Sequence, residues 1–177
     1  MQDPKLTPTS YIVLGLLDAA APHEATPYDL KQMMSVSVDC FWSTPHAQVY
    51  REPERLAAGG YVTERREDSG RRRRFYAITD KGRAAVEAWR GAAPPDELPE
   101  LRDAGVLKVF FGADPGTVAQ HQIAVHEAAL AEYQQLRGQI AQHVPPGQLL
   151  ALDIGIAHER AQIAMWRDVV PTSAPRA

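Results

Sequence analysis

One cysteine, Cys40, stands in the 177 residues, so no intramolecular disulfide can close and nothing calls for an oxidising compartment. Long apolar runs are equally scarce. The longest, Tyr11 to Leu17, is seven residues, whereas a membrane-spanning helix takes roughly 20; no transmembrane segment is expected. The same run followed by Ala19-Ala20-Ala21 has the outline of a short export signal, but Asp18 breaks it and Asp3 cancels Lys5. A cytoplasmic protein is the expectation. Glycine-rich phosphate loops and a Gly-x-Ser-x-Gly element are missing. Histidine is present without a ligand pattern. His121 and His126 lie about 140° apart on a helix, His158 stands beside Glu159, and His23, His46 and His143 are isolated. Cys40 and His46 have no third orienting group for a thiol nucleophile. Neither a metal nor a cofactor is expected, and catalysis has no visible home.

An overall excess of positive charge is also lacking. The net charge is −3, which argues against a broadly basic coat for nucleic acid. Its distribution is uneven. Residues 1 to 91 carry 13 Lys/Arg against 12 Asp/Glu, and residues 92 to 177 carry 6 against 10. Six arginines fall between positions 65 and 74. Against Glu64, Glu67 and Asp68, most of that charge is expected to stay uncompensated, and a polyanion is its natural partner.

Helix punctuation divides the chain. Thr7 to Ala20 reads as a helix apolar nearly all round, which has to be buried. Thr26, Pro27 and Asp29 form a capping box for a second helix to about Ser35, burying Leu30, Met33 and Met34. Ser43-Thr44-Pro45 repeats that grammar for a third helix ending at Gly59-Gly60. The period then changes to two. Tyr61 to Arg66 and Arg72 to Ile78, separated by Glu67-Asp68-Ser69-Gly70, read as a β-hairpin, after which Thr79 caps a fourth helix. The expected fold is mainly α: a winged helix-turn-helix domain over residues 7–91 with a two-stranded β-wing, a linker at 92–99, a helical dimerisation arm over 100–170 and a tail at 171–177.

Placed at 100° per residue, the third helix groups Val49, Pro53 and Leu56 on one side and Thr44, Ala47, Gln48 and Arg51 on the other. Gln and Arg near the start of such a helix are the side chains that read adenine and guanine bidentately, and they make double-stranded DNA the expected partner. Pro53 removes the hydrogen bond to the Val49 carbonyl and should kink the helix or end its regular part. In the arm, Leu149, Leu152, Ile156, Ile163, Trp166 and Val170 form a heptad seam interrupted by Glu159. The seam is expected to join two copies, the competing arrangement being an intramolecular pair with Val125, Ala129, Tyr133, Leu136 and Ile140. A small aromatic effector is expected between domain and arm, where Trp42, Trp89, Phe110 and Phe111 offer aromatic surface.

The segments Tyr11-Ile-Val-Leu-Gly-Leu-Leu17, Thr26-Pro-Tyr-Asp-Leu-Lys31, Gln48-Val-Tyr-Arg-Glu52 with Arg55-Leu56, Gly60-Tyr-Val-Thr63 and Arg74-Phe-Tyr-Ala-Ile-Thr-Asp-Lys-Gly-Arg83 together resemble the PadR family of bacterial transcriptional regulators over residues 8 to 90. Leu107-Lys-Val-Phe-Phe-Gly112 and the helices after it resemble its longer subfamily more loosely. The resemblance implies a homodimeric winged-helix protein, usually a repressor, on an inverted-repeat operator and often released by a small molecule. It implies Tyr50 and Arg51 on the recognition helix, Tyr28 and Lys31 on the helix before it, and Arg71, Arg72, Arg73 and Arg74 on the wing. Pro53 departs from the leucine common there, and Asp29 stands where glutamate is more usual. From a different class comes the alternative of a winged-helix module that binds another protein through its hairpin and arm without reading DNA.

Overall fold

In the computed structural model the described residues are 4–20, 22–42, 44–67, 72–93 and 103–169. They fall into two compact units, Met1–Pro95 and Asp96–Ala177. The first contains α1 (Pro8–Ala19), β1 (Glu24–Ala25), α2 (Pro27–Ser35), a 3₁₀ turn (Val38–Cys40), α3 (His46–Ala58), β2 (Val62–Arg66), β3 (Arg74–Ile78) and α4 (Asp80–Gly91). The second contains α5 (Ala104–Phe110), α6 (Pro115–Ile140) and α7 (Pro146–Val169). No helix among the described residues is long and apolar enough to cross a membrane.

Local chemistry starts the helices where the capping residues stand. Thr7 and Ser10 close a capping box at α1, and Thr26 and Asp29 close one at α2. Thr79 Oγ1 accepts from the Gly82 amide at 3.1 Å to open α4. At α3 the expected grammar fails. Pro45 occupies the cap position without a side-chain bond, and Thr44 lies one residue too early to cap anything. α3 also runs unbroken through Pro53 to Ala58, because the proline ring is fully buried against the core and packing outweighs the missing backbone bond.

The core of the first unit joins Val13, Leu14 and Leu17 of α1, Leu30 and Met34 of α2, Val49 and Leu56 of α3, Tyr76 and Ile78 of β3 and Val86 of α4. Met33 is only half-buried, and so are Tyr11, Ile12 and Leu16 on the outer side of α1. The hairpin pairs antiparallel with Val62 opposite Ile78 and Arg66 opposite Arg74. Among the described residues the wing sheet has three strands rather than two, in the order β1-β3-β2, since Glu24 and Ala25 pair with Ala77 and Tyr76. Gly82 is required here: a Cβ would stand 2.3 Å from the Tyr61 carbonyl oxygen, so only glycine lets α4 lie this close to the hairpin.

In the second unit α6 and α7 form an antiparallel pair in which Arg137 faces Asp153 and Glu127 faces Arg167. Leu152, Ile156, Ile163 and Trp166 are buried in this single chain, and Leu149 is half-buried. Within one chain these seam residues pack against α6, the arrangement weighed beside an intermolecular seam. Its polar interruption has a partner: His126 Nδ1 lies 2.6 Å from Glu159 Oε2. Val170, residues 94–99 of the linker and the tail at 171–177 lie outside the described residues.

Candidate nucleic-acid interface

α3 presents Ala47, Gln48, Tyr50, Arg51 and Glu54 to solvent and turns Val49, Glu52, Pro53 and Leu56 inward. The inward carboxylate fixes the helix. Glu52 Oε1 accepts from Ser10 Oγ of α1 at 2.6 Å and from Arg55 Nη2 at 2.5 Å, and Oε2 accepts from Arg55 Nε at 3.0 Å. Arg55 also donates to the Lys5 carbonyl at 2.9 Å, tying α3 to the segment before α1. The Glu52 carboxylate holds the Arg55 guanidinium above its ordinary pKa. Charge-assisted bonds of this kind are stronger than neutral ones. Sequence reasoning assigns Ser10, Glu52 and Arg55 no role, yet a signal is there: Glu52 lies only about 60° from Val49 on the helix wheel, a carboxylate inside the buried stripe.

Of the expected reading residues, Gln48, Tyr50 and Arg51 share the exposed side of α3. Tyr28 on α2 is exposed and its hydroxyl accepts from Gln32 Nε2 at 3.0 Å; Lys31 is half-buried one turn along. Thr44 does not join them. It is 8% exposed, and its Oγ1 is buried with no hydrogen-bond partner among the described residues. Gln48 Oε1 accepts a 3.3 Å bond from Thr9 Oγ1, so its amide leans toward the start of α1. Between that start and α3 opens a groove of about 490 Å³, lined by Thr7, Pro8, Thr9, Trp42, Thr44, Pro45, Gln48, Arg51 and Glu52.

The wing corrects the expectation of uncompensated charge. Arg65 pairs with Glu24 at 2.6 Å, Arg66 with Glu64 at 2.6 Å, Arg73 with Glu67 at 2.8 Å, and Arg74 with Glu54 at 3.7 Å and Glu64 at 3.8 Å. Two of these acids, Glu24 and Glu54, come from elsewhere in the fold and could not be counted from the local sequence. Arg66 holds the Glu64 carboxyl, and Arg73 the Glu67 carboxyl, below the usual range. Such exposed pairs are screened by solvent and contribute little to stability, so the guanidiniums can exchange a carboxylate for a phosphate. Arg65 and Arg73 both lie over the Phe75 ring, at 4.5 and 5.4 Å from its centroid, an aromatic seat that holds two guanidiniums extended. Arg72 is exposed with φ +48°, at the turn. Arg71 lies outside the described residues.

The four aromatic residues expected at an effector site occupy separate settings. Trp42 lines the α1–α3 groove. Trp89 stacks on Tyr11, ring centroids 4.8 Å apart and 11° from parallel. Phe110 meets Phe111 edge-on at 5.1 Å, both exposed, at the end of α5.

Residues 13–88, from α1 through the wing to α4, match the family described as the transcriptional regulator PadR-like family. Over these residues, less than half of the chain, the sequence is similar to that family. The chain also aligns with the negative transcriptional regulator PadR of Bacillus subtilis (strain 168): 31% identity over 104 residues, 57% of this chain and 54% of that protein. The chain thus matches about half the length of that curated relative. Among solved structures, Bacillus subtilis PadR in complex with operator DNA superposes with a TM-score of 0.73 at 24% identity, covering 90% of this chain and 95% of that one. The same protein in complex with p-coumaric acid gives 0.67 at 21%, covering 93% and 96%. These likenesses extend the PadR fold from the winged-helix domain to the helical arm.

Proposed function

We propose that this protein is a cytoplasmic, non-enzymatic transcriptional regulator of the repressor type, acting as a homodimer on an inverted-repeat DNA operator and answering to a small-molecule effector. The observation that carries the reading is the exposed side of α3. Gln48, Tyr50 and Arg51 are exposed on a helix held from behind by Ser10 and Arg55, with the arginine wing in the same domain. Gln48 and Arg51 read base edges; Tyr28, Lys31 and Arg71 to Arg74 contact the phosphate backbone. Operator DNA bound to a PadR relative supports the partner, and p-coumaric acid bound to the same relative supports a small-molecule effector.

Residues 7–91 serve as the DNA-binding domain and 100–170 as the dimerisation domain. With the heptad seam engaged inside the chain, the dimer contact falls to the opposite side of α7, where Leu150, Ile154, Ala157, Ala161 and Ala164 are exposed in one stripe. A single winged helix covers one half-site, and joining two raises affinity through effective concentration. The deciding experiment titrates duplex DNA from upstream of the protein's own gene at two salt concentrations. A DNA-reading dimer gives salt-dependent binding with preference for a palindrome, and a protein-only module gives neither.

A further inference from the structure

We propose that Glu54 of α3 is a specificity residue of the DNA contact, accepting a hydrogen bond from the N4 amine of a cytosine in the major groove. This role rests on the reading of α3 as the DNA-contacting helix. α3 runs unbroken through Pro53, so Glu54 keeps the helical phase of the residues before it. At 100° per residue, the direction opposite buried Val49 and Leu56 falls between Arg51 and Glu54, each about 30° from it, whereas Gln48 lies about 90° away. Glu54 thus stands as near the middle of the exposed side as Arg51 does, and its side chain is 70% exposed.

A carboxylate in that place works against binding. Facing a polyanion, it repels phosphate whatever the base sequence, and it can recover that cost only from a donor. The major groove offers donors on two bases, the N4 amine of cytosine and the N6 amine of adenine. Adenine carries the N7 acceptor beside its amine, and guanine and thymine present acceptors, so an ionised side chain with no hydrogen to give is left with cytosine. Arg51 complements it. The two residues are three apart, about 4.5 Å along the helix axis against about 3.4 Å between base pairs, so a guanidinium on guanine and a carboxylate on cytosine can serve one pair or two adjacent ones. Arg74, at the start of β3, offsets the added charge: its Nη1 lies 3.7 Å from Glu54 Oε1, an ion pair beyond hydrogen-bond length that leaves the carboxylate lone pairs to a base.

The test selects binding sites for the full chain from a duplex library with a randomised core, using the parent, Glu54→Gln and Glu54→Ala, and titrates each selected site. The parent is expected to require cytosine at one position of each half-site, with replacement of that C·G pair weakening binding about tenfold. Glu54→Gln should move the preference there from cytosine to adenine, since an amide pairs with both N6 and N7, and Glu54→Ala should erase it. Both variants should keep the parent's circular dichroism and bind arbitrary duplex a few-fold more tightly at low salt, having lost a negative charge. A site recovered unchanged by both variants, with only the uniform gain in affinity, overturns the proposal while α3 remains the reading helix. A parent with no base preference overturns the reading of α3 itself and the role of Glu54 with it.

Discussion

Ser10 on α1 and Glu52 on α3 meet through a buried 2.6 Å hydrogen bond, 42 residues apart in sequence. Both are buried, and the helix that carries Gln48 and Arg51 is set against α1 by this bond and the Arg55 fork beside it. Ser10→Ala is expected to destabilise the winged-helix domain by about 1–3 kcal/mol, the cost of leaving a buried acceptor short of a donor. Urea unfolding measures it. The double variant Ser10→Ala, Glu52→Gln should cost less than the sum of the singles, since both remove one interaction. Strict additivity would show that the bond does not couple the helices.

The wing pairs predict that removing an acid strengthens DNA binding. Glu67→Gln frees Arg73 from its carboxylate, and Glu64→Gln does the same for Arg66 and loosens Arg74. Each should raise duplex affinity a few-fold at low salt. Replacing Arg71, Arg72, Arg73 and Arg74 together by alanine should weaken binding to all sequences alike, flattening the log-affinity against log-salt slope by about 0.9 for each phosphate that is no longer neutralised. An unchanged slope places the wing off the phosphates.

Acid should act on the arm through Asp153. Its carboxyl is held below the usual range by Arg137. A depressed folded-state pKa gives stability that is fully present above the unfolded value and is lost as pH falls through the folded one. The stability difference between the parent and Arg137→Ala should therefore be full near neutrality and disappear on acidification through the carboxylate range. Chemical denaturation at a series of pH values checks this, and a difference that does not change with pH would assign the effect of Arg137 to packing.

The two sides of α7 should respond differently to charge. Ile156→Asp places a carboxylate in the closed α6–α7 seam and should unfold the arm, as unpaired buried charges cost several kcal/mol. Ile154→Glu, on the exposed stripe, should leave the circular dichroism unchanged and raise the dimer dissociation constant at least about tenfold by burying a charge at an interface. Sedimentation separates the outcomes; an Ile154→Glu chain as dimeric as the parent moves the contact elsewhere, with exposed Phe110 and Phe111 next in line.

Features set by local chemistry are legible in the sequence. Thr26 and Asp29 announce α2 wherever the chain goes, because the capping box needs only four residues. Features set by partners are not. Glu24–Ala25 is a strand only because β3 offers an edge, and two residues carry no period. The heptads of α7 show that one stripe must be buried without showing which helix covers it; in the single chain α6 does so. Thr44 misleads for a related reason: hydroxyl followed by proline looks like a cap, but Pro45 takes the cap position of α3 and the hydroxyl is buried without a hydrogen-bond partner among the described residues.

Heptad repeats are indifferent to sliding, and the His126–Glu159 layer removes that indifference. Moving α7 by seven residues along α6 would set Glu159 against Ala119 or Tyr133 instead of the imidazole, with a carboxylate entering the apolar seam unanswered. The apolar layers on either side would tolerate such a slip far better. One polar layer thus acts as a vernier for the helical hairpin, giving up some cohesion for a single alignment. His126→Leu with Glu159→Leu should accordingly yield an arm that melts higher but exchanges its amide protons faster at the hairpin ends, as alternative alignments become accessible.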